Sequence, residues 1–153
     1  MKVLVATEKP FAAAAVNGIR DIVEGAGHEL ALLEKYTDKE QLLAAVADAD
    51  ALIVRSDKVT ADVIEAAKQL KIVVRAGAGY DNLDLPSCTE RGIVAMNTPG
   101  QNSNAVAELA IGLMIYMSRN QFTPGTGCEL SGKTIGIQGF GNIGQLVAKK
   151  AVG

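Results

Sequence analysis

Tryptophan is absent from this chain, and phenylalanine and tyrosine occur three times each. There is one histidine, His28, in the polar turn Gly25-Ala26-Gly27-His28-Glu29. A surface turn residue fits that setting better than a catalytic base. With only Cys88 and Cys128 beside it, no metal-ligand set can be built. The cysteines lack both ligand spacing and the density of a disulfide framework, so reduced thiols of a cytoplasmic protein are expected. The formal net charge of −2 argues against a nucleic-acid partner. No apolar run approaches the roughly 18 residues that would suggest a membrane span. Met1-Lys2-Val3-Leu4-Val5-Ala6 begins directly as a strand, without signal-peptide architecture.

What is present is aliphatic and regularly punctuated. Of 153 residues, 48% are hydrophobic, enough for one globular domain with a real core and too little for two full ones. Short apolar strands are expected at Val3–Ala6, Leu30–Leu33, Ala51–Val54, Ile72–Arg75 and Ile93–Met96. Helical spacing fills the gaps: Phe11–Glu24, a helix carrying Leu42, Leu43 and Val46, one from an N-cap at Thr60 through Gln69, and Asp84–Arg91. Thr37-Asp38-Lys39-Glu40 reads as a capping box, with the Thr37 hydroxyl and the Glu40 carboxylate satisfying free N–H groups. Continuous apolar strands alternating with helices imply a parallel sheet covered on both faces. The expected fold class is α/β, a flavodoxin-like, doubly wound, parallel five-stranded sheet.

Pro99-Gly100 ends that alternation. A helix over Asn104–Arg119 follows, and its run Leu109-Ala110-Ile111-Gly112-Leu113-Met114-Ile115-Tyr116-Met117 is apolar nearly all round. Such a helix expects burial on most sides. Gln121–Gly127, with Pro124, Gly125 and Gly127, reads as a linker. Thr134–Lys150, TIGIQGFGNIGQLVAKK, then carries a dinucleotide-binding fingerprint between an expected strand (Ile135, Ile137) and a helix (Leu146, Val147, Ala148). Gly139 permits a tight turn, Gly141 lets a pyrophosphate approach the main chain, and Gly144 allows close helix packing. The free N–H groups of the new helix face the phosphates. The acidic residue that would hold the ribose, about 20 positions on, falls beyond Gly153.

Ligands of doubly wound sheets collect at the carboxyl ends of the strands. Three loops fall there. Arg55-Ser56-Asp57-Lys58 offers a guanidinium and a hydroxyl suited to phosphate or carboxylate, or else a solvated charged loop. Arg75-Ala76-Gly77-Ala78-Gly79-Tyr80-Asp81-Asn82 leaves its main chain bare, so successive N–H groups can form an anion nest, or else a tight turn. Asn97-Thr98-Pro99-Gly100-Gln101-Asn102-Ser103-Asn104 can line a cleft and cap the next helix. Glu108 reads as a first-turn acid complementing that helix's dipole. A flavin site of flavodoxin type is disfavoured, because the loop after the first strand, Thr7-Glu8-Lys9-Pro10, lacks a run of hydroxyl residues.

These pieces, in this order, resemble the D-isomer-specific 2-hydroxyacid dehydrogenases. The matching pieces are Arg55-Ser56, Leu70-Lys71 leading to Arg75 through Asp84, Gly92-Ile93-Val94 with Asn97-Thr98-Pro99, Asn102-Ser103 with Val106-Ala107-Glu108, and Gly132-Lys133-Thr134 with the fingerprint. The likeness covers essentially the whole chain. It implies a substrate-binding lobe over 1–98, then a hinge, an apolar helix and the first strand-helix unit of a Rossmann NAD lobe over 99–153.

By resemblance, Arg55 and Ser56 meet the phosphate end of a phosphorylated 2-hydroxy acid. The backbone at Ala78 and Gly79 holds its carboxylate, Ala78 touches the nicotinamide side, and Asn102 lines the cleft. Gly139, Gly141, Asn142, Ile143 and Gly144 carry the pyrophosphate of NAD. The family's catalytic Arg, Glu or Asp, and His belong to later segments with no counterpart here, so no catalytic residue is assigned and the chain alone is expected to be inactive. The short linker, without the usual tryptophan-containing stretch, suggests a short-linker subgroup. A homo-oligomer is expected, with self-association through helix 104–119 as an alternative role for the chain.

Overall fold

A computed structural model of the chain describes residues 1–152. The chain divides into two compact units, Met1–Pro99 and Gly100–Gly153.

The first unit runs β1 (Lys2–Thr7), α1 (Ala13–Gly25), β2 (Glu29–Glu34), α2 (Lys39–Val46), β3 (Ala51–Val54), α3 (Ala61–Ala66), β4 (Ile72–Arg75), α4 (Leu85–Glu90) and β5 (Val94–Met96). All pairings are parallel, in the order β2-β1-β3-β4-β5. That is the flavodoxin order, whose direction of winding reverses between β1 and β3. Each of β1 to β4 is followed by a helix and a short return, the connection that parallel pairing requires. The five expected strands are all present.

Strand side chains alternate between the two faces. Leu4, Ala6, Leu52, Val54 and Val73 join Leu42 and Val46 of α2, Val63 and Ile64 of α3, and Cys88 of α4 in one buried cluster. Complete burial of an aliphatic side chain of this size contributes about 1.5–3 kcal/mol, so this layer is the main source of the unit's stability. Val3 and Val5 are buried on the opposite face, whereas Val94 and Met96 on the β5 edge are exposed.

Two local expectations are corrected. The capping box at α2 sits one residue later than expected: Asp38 is the N-cap, and the Gln41 side chain accepts from the Asp38 and Thr37 N–H groups at 3.4 and 3.1 Å. Thr37 and Glu40 do not form it. Helix α3 stops at Ala66 instead of reaching Gln69. The Arg91 guanidinium takes the carbonyls of Ile64, Glu65 and Ala67, satisfying the last turn from outside and ending the helix.

The second unit contains α5 (Ser103–Ser118) and α6 (Asn142–Val152). After α5, Asn120, Gln121 and Phe122 all have φ between 51° and 59°. Each such residue costs roughly 1–2 kcal/mol outside glycine. Partial compensation comes from the Asn120 amide on the Thr123 hydroxyl (2.9 Å) and the edge-to-face pair Tyr116–Phe122 at 5.3 Å.

The strand expected at Ile135 and Ile137 does not form, and residues 133–137 are irregular. A strand exists only through a hydrogen-bonded neighbour, and the described residues of this unit supply none. The last residue of the expected second region, Gly153, lies outside the described residues.

Candidate functional site

The loops after β3, β4 and β5 are stitched to one another within the first unit. The Asn82 side chain donates to the Asp57 carbonyl (2.8 Å), the Val59 N–H donates to the Asn82 carbonyl (2.8 Å), and the Asp84 N–H returns to the Val59 carbonyl (2.9 Å). From the third loop, the Asn97 side chain donates to the Ala78 carbonyl (2.7 Å) and the Thr98 N–H to the Gly77 carbonyl (2.9 Å). These bonds have a polarity. They consume the carbonyls of Gly77 and Ala78. The N–H groups of Ala78 and Gly79 find no acceptor among the described residues. A backbone whose acceptors are engaged and whose donors are not favours an anion.

Two guanidinium groups belong to the same region. Arg55 is exposed on the first loop. Arg75 closes β4, and its Nε donates to the Arg55 carbonyl at 2.8 Å. The Arg75 side chain lies over Gly77, where an added Cβ would run into the guanidinium. A side chain at 77 would displace the Arg75 guanidinium from this position. The sequence places Arg75 at the end of a strand and the start of the second loop without giving it a ligand role, and the structure brings it to Arg55. A charged residue closing an otherwise apolar strand on its carboxyl side was the signal available.

Ser56 is exposed beside Arg55 and lines a cavity of about 390 Å3 together with Glu8, Tyr36, Lys39, Asp57 and Lys58. Asp57 is only 5% exposed. Its carboxylate accepts from the Glu8 N–H (2.7 Å), the Tyr36 hydroxyl (2.8 Å) and the Arg55 N–H (3.3 Å). Burial, then the hydrogen bond to Asp57, then the charges of Asp57 and Glu8, push the Tyr36 hydroxyl well above the ordinary tyrosine range. It stays a donor at any physiological pH.

In the second unit, Gly139 has φ +89°, a conformation other residues adopt only under strain. A Cβ at Gly144 would collide with the Gly139 carbonyl and crowd Ile137, so helix α6 leaves the turn as closely as glycine allows. A Cβ at Gly141 would meet nothing within 4 Å. Gly141 precedes α6, its carbonyl accepting from Gln145 N–H at 3.0 Å. Asn142 and Ile143 form the exposed first turn of α6.

Asn102 stands at the N-cap of α5 without a side-chain capping bond. Glu108 is not a first-turn acid, which corrects the expectation. It lies in the second turn, accepting from the Asn104 side chain (2.8 Å) and pairing with Lys150 at 3.4 Å. The two cysteines are free, Cys88 buried and Cys128 exposed. Burial, reinforced by Asp84, raises the Cys88 thiol above its usual range, so it is an inert core residue. No cluster that could hold a metal ion occurs among the described residues. No helix among them is long and apolar enough to cross a membrane.

Residues 5–152 match the family model of the D-isomer specific 2-hydroxyacid dehydrogenases, catalytic domain. Among solved structures, NAD+-bound 3-phosphoglycerate dehydrogenase of Entamoeba histolytica is 54% identical with a TM-score of 0.95, covering 99% of this chain and 50% of that one. D-3-phosphoglycerate dehydrogenase of Methanocaldococcus jannaschii is 48% identical over 127 residues, which is 74% of this chain and 24% of that protein. Hydroxypyruvate reductase of Thermotoga maritima is 46% identical over 138 residues, 81% of this chain and 45% of that protein. The chain thus spans half or less of the length of these relatives. It belongs to the D-isomer specific 2-hydroxyacid dehydrogenase family.

Proposed function

We propose that this member of the 2-hydroxyacid dehydrogenase family carries the substrate-binding lobe, and the opening of the cofactor lobe, of an NAD-dependent D-3-phosphoglycerate dehydrogenase serving serine synthesis. The observation that carries the reading is the pair of free N–H groups at Ala78 and Gly79, in loops bonded to those that present Arg55 and Arg75. Main-chain donors suit the flat carboxylate of a 2-hydroxy acid. A guanidinium with the Ser56 hydroxyl suits the phosphate at its other end. Names of relatives support the phosphorylated substrate and, in one solved structure, NAD.

The residues present fit the diphosphate part of NAD: Gly139 and Gly141 leave the main chain of the turn bare at those two positions, and the turn opens a helix N-terminus. Gly139, Gly141, Asn142, Ile143 and Gly144 would hold it. Bound, the cofactor supplies the hydride acceptor. This chain's own contribution is to bind and orient the hydroxy acid. It assigns no general base, and without one, proton removal cannot accompany hydride transfer.

Two measurements test this. Amide chemical shifts at residues 55–56 and 77–79 are expected to move on millimolar titration with 3-phosphoglycerate and to move less with glycerate. No movement with either compound overturns the anion site. A steady-state assay of the chain with 3-phosphoglycerate and NAD is expected to give no turnover above background, and robust turnover would show that the proton acceptor is encoded here.

The alternative role, a non-catalytic module that self-associates through α5, draws on one observation. Leu109, Leu113 and Met117 of α5 are each more than half exposed, a pattern that promotes association when contiguous. Sedimentation velocity is expected to show a concentration-dependent homo-oligomer, and a strict monomer would remove that role.

A further inference from the structure

We propose that Asp57 is a positioning residue of the anion site: its buried carboxylate sets the main chain at Arg55 and, through it, the Arg75 guanidinium. The proposal rests on the substrate-site reading above and adds to it a residue that touches no ligand.

Asp57 sits in what reads as a solvated charged loop, yet it is almost fully enclosed. A buried carboxylate needs compensation, and none of the ion pairs among the described residues includes it. Its compensation comes from three donors divided unequally between its oxygens. Oδ1 takes the two short bonds, from the Glu8 N–H after β1 and the Tyr36 hydroxyl after β2. Oδ2 takes the Arg55 N–H after β3. One oxygen is an anchor in the neighbouring loops, and the other directs the site. Arg55 is then held at both main-chain polar groups, its N–H by Asp57 and its carbonyl by Arg75 Nε. The Asp57 carbonyl receives the Asn82 side chain, which ties in the loop carrying Ala78 and Gly79. The enclosed carboxylate therefore links the ends of β1, β2 and β3, where the sheet changes its direction of winding, and the main-chain carbonyl of the same residue ties in the loop after β4. The Tyr36 hydroxyl, kept protonated, is a constant donor to it.

Asparagine at 57 has nearly the same shape but only one accepting oxygen, and its amide would direct N–H groups at the Glu8 or Arg55 N–H. Loss of a charge-assisted bond of this kind corresponds to about tenfold in an equilibrium constant or more. The test compares the wild-type chain, Asp57→Asn and a control of similar thermal loss, Val46→Ala, remote from the loops. Affinity for inorganic phosphate and for 3-phosphoglycerate is read by NMR titration, together with water exchange of the Arg75 Nε–H.

The expected result is wild-type binding, at least about tenfold weaker binding by Asp57→Asn with faster Arg75 Nε–H exchange, and unchanged affinity in Val46→Ala. A folded Asp57→Asn that binds as the wild type does overturns the proposal and leaves the anion site standing. A wild type that binds neither anion overturns the site itself, and the proposal with it. If Asp57→Asn does not fold, Tyr36→Phe serves. It removes one donor from Oδ1 alone and is expected to weaken binding about threefold, below the effect of losing the charge. Unchanged affinity and unchanged Arg75 exchange in that variant overturn the proposal.

Discussion

In Met1–Pro99 every strand has a parallel neighbour, and Leu4, Leu42, Leu52, Val63 and Val73 are sealed in one cluster. In Gly100–Gly153 the apolar segment around Ile135 pairs with nothing among the described residues. Leu113 is 52% exposed there, Met117 62% and Phe140 65%. The apolar content of the two regions is similar in kind. What differs is whether each apolar element has its partner within reach. A parallel sheet spreads its partners along the chain, because each pair of strands needs a crossover between them. The first region contains all of its crossovers. The second contains the helices α5 and α6 and, around Ile135, a strand-like segment with no strand neighbour among the described residues. Hydrophobic sequence is thus a demand for a partner, and structure shows which demands are met.

Paired truncations of equal chemistry give the largest expected effect. Leu52→Ala removes a side chain with no exposure at all, and a loss of about 3 kcal/mol is expected. Leu113→Ala removes the same atoms from a half-exposed site, and about 0.5 kcal/mol or less is expected. Denaturant midpoints of the two variants, taken at one dilute concentration, provide the check. Equal losses would mean that α5 is covered in solution, and the contrast between the regions would fail.

The same contrast explains what could be read from sequence. The strands at Ala51–Val54 and Ile72–Arg75 were legible because short continuous apolar runs between helical patterns have few other uses. The segment at Ile135 carries a similar pattern and forms no strand, since pattern records the capacity to pair and never the presence of a neighbour. Arg55, Ser56, Ala78 and Gly79 were legible as candidates because a parallel fold sends ligands to its carboxyl edge. Asp57 was not. Its neighbours in sequence, Ser56 and Lys58, are exposed, and only the approach of Glu8 and Tyr36 from 49 and 21 residues away encloses it. The α2 cap was placed one residue off because Thr37-Asp38-Lys39-Glu40-Gln41 contains two overlapping versions of the motif. Backbone geometry at Asp38 chooses between them.

A smaller and more local effect is expected from Gly144→Ala. The added methyl would press on the Gly139 carbonyl, a backbone atom that cannot swing aside. Overpacking of this kind costs typically about 1–3 kcal/mol. In the second region, where little else is packed against the turn, the strain is expected to be relieved by opening between Gly139 and Gly144. Hydrogen exchange should accelerate at residues 139–147 and leave β1, β3 and β4 protected. Acceleration across the whole sheet would mean that the regions unfold as one cooperative body.

The smallest effect concerns acid. Hydrogen bonds from Lys39 and then Thr60 hold the Asp62 carboxyl at about 2 from an ordinary 3.8, joining the first turns of α2 and α3. Asp48 and Asp50 are lowered chiefly by Lys2 and Lys71 respectively. A carboxyl whose folded pKa lies below its unfolded one stabilises the fold above the unfolded value and loses that contribution as pH falls through the folded value. For Asp62 the window therefore runs from 3.8 down to about 2. All three pairs belong to the first region. In the second, Asn104 and then Lys150 lower Glu108 from 4.5, so its contribution begins to fade at a higher pH. These groups are exposed and screened by salt, so each contributes little. Carboxyl titration followed by NMR is expected to show Asp62 protonating near 2 and Glu108 below its ordinary 4.5, with Asp62→Asn flattening the acid limb of the first region's stability. Simultaneous protonation of Glu108 and Asp62, together with loss of all β-sheet amides, would mean that the two regions share one acid transition and that the difference in their packing has no thermodynamic consequence.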